Sequence, residues 1–151
     1  MSWLILAGAA LALRLGAAWI LGGFSHPELF EPYRMGVSLA TGQGLVYASH
    51  GGVLYRSFDA PLYPALCAFV HWLTHGSVGA LLVVQMMASA ATVVLVAKIG
   101  TSLFGRRAGL LSGALVAVHP GLIVYASLKA HPLTLDALWV ALVCWQFLRM
   151  Y

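Results

Sequence analysis

Five apolar runs, at 3–22, 61–76, 78–104, 108–127 and 133–148, take up most of this chain of 151 residues. A bilayer core about 30 Å thick needs roughly 20 consecutive apolar residues per helical crossing. The runs at 3–22, 78–104 and 108–127 reach that length, and 133–148 reads as a last span. Only 8% of the residues are charged and 62% are hydrophobic, where a soluble domain carries about 25% charged residues. No soluble packing hides that much apolar surface. The expectation is an all-α, polytopic transmembrane helix bundle of four to five membrane segments, forming a single membrane domain over 1–151.

The run at 3–22 has no basic stretch ahead of it and is long for a signal peptide, so it reads as an uncleaved first span. Arg14 lies inside it. A charge at that depth must snorkel to a lipid phosphate, anchor a neighbouring helix or face the protein interior. The net charge of +4 comes from cations scattered along the chain without a basic stripe. They report topology and lipid contact, and give no case for nucleic acid. Cys67 and Cys144 both sit in apolar runs and read as small hydrophobes, with no disulfide or metal assigned.

Between the first two apolar runs, residues 23–60 form a polar loop holding three of the four acidic residues, Glu28, Glu31 and Asp59, with Arg34, His50 and Arg56. Pro32 suits the first turn of a helix, and Gly42 and Gly44 stop one, so a short interfacial helix is predicted over 32–41. Glu31 then carries negative charge at the positive end of its dipole. The stretch 44–58, rich in glycine and alternating at Val53, Tyr55 and Ser57, reads as ordered and extended.

Arg106 and Arg107 sit in a tight loop and mark a cytoplasmic side. If the N-terminus is cytoplasmic too, the 23–60 loop is external and an odd number of crossings must separate it from Arg106. That favours 61–76 as an interfacial or half-buried segment, and returns Lys129, His131 and Asp136 to the side of Glu31. A full crossing by 61–76 is the alternative.

Several motifs resemble, in order and spacing, the front of a known enzyme family. Glu31 ahead of the short helix is followed by Leu39-Ala40-Thr41-Gly42-Gln43-Gly44, then Tyr55-Arg56-Ser57 and Pro61-Leu62-Tyr63-Pro64. Phe104-Gly105-Arg106-Arg107, His119-Pro120-Gly121-Leu122 and Lys129-Ala130-His131 continue the pattern. Together they resemble the dolichyl-phosphate-mannose protein mannosyltransferase-like group of GT-C glycosyltransferases, in bacterial form. The resemblance implies an N-terminal portion of a larger GT-C module in the plasma (inner) membrane. It implies a polyprenyl-phosphate-linked sugar as donor, no cofactor, an active loop on the extracytoplasmic face, and a first-loop acid as general base. By position that acid is Glu31, with Glu28 in reserve. Many relatives carry two adjacent acids where this chain has Glu31-Pro32.

Such a transfer needs a base for the acceptor proton and cations for the departing phosphate. Arg34, Arg56 and Lys129 are the candidate cations, with Asp59 and His131 as further substrate contacts. His131 or Asp136 could orient the acceptor or a phosphate-binding cation, and divalent metal stays open. Bland readings stand beside these. Glu31 and Arg34 can pair on the helix surface, Arg56 and Asp59 can pin the loop to itself, and Lys129 can snorkel at the interface. The alternative function is a non-catalytic polyprenyl-lipid-binding or transport subunit, or a truncated inactive fragment.

Overall fold

The computed structural model describes residues 3–48, 53–56 and 59–150; His50 and Ser57 of the first loop lie outside them. In chain order, α1 (Trp3–Ile20) leads through β1 (Glu28–Leu29) to α2 (Glu31–Ala40). An antiparallel hairpin follows, β2 (Val46–Ala48) against β3 (Leu54–Arg56). Then come α3 (Leu62–Thr74), α4 (Val78–Phe104), α5 (Arg106–Val118), α6 (Pro120–Ser127), β4 (Lys129–Ala130) and α7 (Leu133–Met150). The expected all-α bundle is what the chain forms. Its helix of the first loop begins one residue earlier than Pro32, and its extended segment is the short hairpin.

Helices α1, α4 and α7 are each long and apolar enough to cross a membrane, and α5 with α6 reaches that length only as a pair, bent by 51°. The bend falls at His119-Pro120, because Pro120 has no N–H to continue the helix. The His119 ring restarts it, its Nδ1 accepting the Leu122 N–H at 3.4 Å. Small residues let α5 lie close on α4. A methyl group at Gly109 would strike Thr101 and the Ala97 carbonyl, and one at Gly113 would strike Ala97 and Leu6. With no hydrophobic drive between helices in lipid, such close approach is what holds transmembrane helices together.

Arg14 takes the interior option. It is fully buried, donating from Nε to Ser89 Oγ at 2.7 Å and from Nη1 to the carbonyls of Ala10 at 2.9 Å and Ala117 at 3.3 Å. The Ala117 carbonyl belongs to the last turn before the bend, where the break removes helical donors. In lipid such a carbonyl must be satisfied by a neighbour. The backbone carbonyl of Arg14 in turn accepts from Ser127 Oγ at 2.9 Å, so this one residue ties α1 to the end of α5 and to the end of α6. Arg14→Ala is expected to cost about 2–5 kcal/mol, from the cavity and the freed acceptors. Arg14→Met keeps the volume but frees the same acceptors, so it should cost less than Arg14→Ala, about 1–3 kcal/mol. Equal SDS-unfolding midpoints for wild type and Arg14→Ala would dismiss this role.

Helix α3 is too short to reach across a bilayer core on its own. Its 13 residues span about 20 Å at ~1.5 Å per residue, short of the hydrocarbon core. Its entrance, Asp59–Ala60, shares a cavity with Pro132 and Asp136 at the start of α7. Just beyond its exit, Gly79 of α4 lies beside Phe24, close to the end of α1. Gly23 abuts the Ser127 carbonyl at the end of α6. Both ends of α3 therefore lie at one end of the bundle. Helix α2 lies across it, and a methyl group at Gly36 would run into Cys67 and the Pro64 carbonyl. Cys67 is buried as expected, whereas Cys144 is exposed on α7.

Candidate functional site

All four acidic residues gather at this end, and the link that brings them there is a short parallel pairing. Glu28 and Leu29 of β1 stand opposite Lys129 and Ala130 of β4, with the Glu28 N–H donating to the Leu128 carbonyl at 2.8 Å. The first loop is thereby fastened to the turn between α6 and α7, although about a hundred residues separate them in sequence.

Lys129 occupies the centre of the junction. Its Nζ lies 2.9 Å from Glu28 Oε2, 5.5 Å from the centre of the Phe30 ring and 5.2 Å from that of Tyr125. The hydrogen bond with Glu28 holds its pKa above the ordinary lysine value, so it stays a cation throughout the physiological range. Two aromatic faces and one carboxylate fix where that charge sits.

His131 lies beside it, meeting the rings of Phe30 and Tyr125 edge-on, each at 5.0 Å between centroids. Its Nδ1 accepts the Leu133 N–H at 3.1 Å, which assigns the proton of the neutral ring to Nε2. Burial lowers its pKa from the ordinary value, against the opposing charges of Asp136, Asp59 and Glu31 and with help from Lys129. The ring is held neutral with Nε2–H as its donor.

Glu31 is half-buried in the first turn of α2, ahead of the buried Pro32 and Tyr33. Among the described residues the ion pair is Glu28–Lys129. Glu31 does not pair with Arg34, nor Arg56 with Asp59, and Lys129 is not a free snorkelling side chain. Arg34 on α2 and Arg56 on β3 are exposed, and no contact ties either to the Lys129–His131 cluster among the described residues. Asp59 is half-buried and lines a cavity of about 170 Å³ with Tyr63, Asp136 and Trp139. No group of three His, Cys, Asp or Glu side chains forms a metal-binding cluster among the described residues.

Beneath the junction, Gln85 of α4 supplies a brace that sequence reading left without a role. Its side chain is fully buried. Its Oε1 accepts from the Tyr63 hydroxyl at 2.5 Å, and its Nε2 donates to the carbonyls of Lys129 at 2.8 Å and Tyr125 at 3.2 Å. One amide thus joins α3, α6 and β4. A lone Gln in a 27-residue apolar helix was the available signal, since polar groups in lipid-facing helices serve as interhelical glue. Its partners could not be read, because two of the three are backbone carbonyls.

A model of the dolichyl-phosphate-mannose-protein mannosyltransferase family matches residues 59–151, more than half of the chain. The chain belongs to that family. No curated protein and no solved structure matches it. The family is one of membrane glycosyltransferases of the GT-C type, in keeping with the crossings described above. Within this mannosyltransferase-family chain, Asp59, Lys129, His131 and Asp136 fall inside the matched segment. Glu28, Glu31, Arg34 and Arg56 precede it, and of these four Glu28 lies in the β1–β4 pairing that meets the matched segment.

Proposed function

We propose that this chain carries the catalytic end of a membrane glycosyltransferase that moves a sugar from a polyprenyl-phosphate donor to an acceptor hydroxyl. The observation that carries the reading is the pairing of Glu28–Leu29 with Lys129–Ala130. It brings a polar, acid-rich loop and a cation onto one end of an otherwise apolar bundle. Glu31 takes the acceptor proton as the new bond to C1 of the sugar forms. The bond from C1 to the phosphate oxygen breaks, and its electron pair leaves with the polyprenyl phosphate. Lys129, pre-set by Glu28, meets that growing negative charge. The Nε2–H of His131 donates to a phosphate or sugar oxygen. Arg34 and Arg56, without carboxylate partners among the described residues, reach the phosphate from the first loop. Asp59 and Asp136 accept hydroxyl hydrogens of the sugar in their cavity, and Trp139 packs against its carbon face. Glu28 serves better as the holder of Lys129 than as the base.

In this reading the acid-bearing end faces outward across the plasma (inner) membrane, and 1–151 acts as one membrane domain. Arg106 and Arg107 at the opposite end support that orientation. Cysteine labelling tests it. With Cys67 and Cys144 replaced by Ala, single cysteines at the exposed Gln43, Leu133 and Arg107 positions are offered an impermeant thiol reagent. Positions 43 and 133 should label in intact cells, and 107 only after permeabilisation. Labelling of 107 in intact cells inverts the topology; labelling of 43 without 133 breaks the composite site apart. Incubation of the purified chain with radiolabelled polyprenyl-phosphate sugars and hydroxyl acceptors tests the activity. Stoichiometric binding without turnover would favour a lipid-binding subunit instead.

A further inference from the structure

The end of the bundle away from the acids holds Lys98, Arg106, Arg107 and Arg149, half of the eight Lys and Arg residues, and no Asp or Glu side chain accompanies them among the described residues. Arg106 and Arg107 open α5 and Arg149 stands in the last turn of α7, whereas Lys98 lies well inside α4. It stands twenty residues beyond the start of α4, which at ~1.5 Å per residue is about 30 Å, the thickness of the hydrocarbon core. With the start of α4 at one interface, Lys98 lies at the level of the lipid phosphates and glycerol on the other. Around it is a groove of about 370 Å³ lined by Trp3 of α1, Lys98, Thr101 and Ser102 of α4, and Trp145 of α7. Lys98 is half-buried, and its Nζ lies 6.0 Å from the centre of the Trp145 ring. No carboxylate pairs with it among the described residues. The Thr101 hydroxyl is committed to the Ala97 carbonyl at 2.8 Å, while Ser102 is exposed.

We propose that this groove is a binding site for the headgroup of an anionic phospholipid, distinct from the sugar-transfer end and independent of its function. The lipid phosphodiester sits on Lys98 and accepts from the Ser102 hydroxyl. Trp3 and Trp145 flank the glycerol region, where indole rings with an apolar body and an N–H donor settle in membranes. A half-desolvated ammonium without a carboxylate lacks a counter-charge, and the phosphate supplies it. A zwitterionic headgroup would bring its own cation against Arg106, Arg107 and Arg149, so the charge of this end selects for net-negative lipid.

The test uses the full chain in phosphatidylcholine bilayers with trace spin-labelled phosphatidylglycerol or phosphatidylcholine, comparing the motionally restricted fractions. Phosphatidylglycerol should be preferred about fivefold through the Lys98 contact. Lys98→Gln should reduce the preference below about twofold, Lys98→Arg should keep it, and Arg107→Gln should lower it far less than Lys98→Gln. No preference in the wild type, an unchanged preference in Lys98→Gln, or equal losses in Lys98→Gln and Arg107→Gln would each overturn the site. Should Lys98→Gln fail to fold, tryptophan quenching on the unmodified protein decides. Brominated phosphatidylglycerol should quench more strongly than brominated phosphatidylcholine at equal mole fraction, and equal quenching rejects the proposal.

Discussion

Glu31→Gln should lower sugar transfer by about 10²–10⁴-fold, the usual worth of a positioned general base. The substitution is isosteric and keeps Pro32 and the first turn of α2 intact, so the bundle should unfold at the wild-type midpoint. Its effect should fall on kcat, because the proton moves only as the new bond forms. Glu28→Gln separates the two acids. That carboxylate is 2.9 Å from Lys129 Nζ, so its loss frees the cation and should act mainly through the KM of the polyprenyl-phosphate sugar. Transfer surviving Glu31→Gln but abolished by Glu28→Gln, with folding intact in both, would exchange the two roles. A half-buried Glu31 without an ion-pair partner among the described residues is the better placed to take a proton.

Gln85→Leu is the second large effect. It leaves the Tyr63 hydroxyl and the carbonyls of Tyr125 and Lys129 without their side-chain partner. An orphaned buried polar group costs about 1–3 kcal/mol, so a loss of roughly 3 kcal/mol is expected in SDS unfolding. Tyr63→Phe removes a single hydroxyl and should cost about 1 kcal/mol. The carbonyls of Tyr125 and Lys129 also set where their side chains stand against His131. A misplacement near 1 Å should cost transfer on the order of 10²-fold. Gln85→Glu gives a signature that a purely structural role lacks. An ionised carboxylate faces two carbonyls and can donate to neither, whereas the protonated acid donates to one. Transfer by this variant should therefore recover as pH falls through the raised pKa of a buried Glu, relative to wild type. A flat ratio to wild type across pH, with normal folding, would mean that Gln85 does not position the turn.

Membrane residence, the runs long enough to cross and the polar first loop are all legible in residue order. They depend on composition and on run length against a bilayer of known thickness, and neither quantity needs a partner to be defined. The short helix after Glu31 and the break at His119-Pro120 belong to the same class, since proline and glycine act on their own backbone. The site is different. Glu31, Lys129 and His131 could be named, but the pairing guessed from spacing, Glu31 with Arg34 and Arg56 with Asp59, follows local proximity, and the chain instead joins Glu28 to Lys129. That contact exists because two strands of two residues each meet edge to edge, a register set by backbone hydrogen bonds that side-chain identity does not encode. Gln85 and Arg14 were visible as polar residues in oily runs. Their roles follow from the low dielectric of the bundle core, where each must find whichever carbonyls the helix crossings bring within reach, and those crossings are settled by packing along the whole chain.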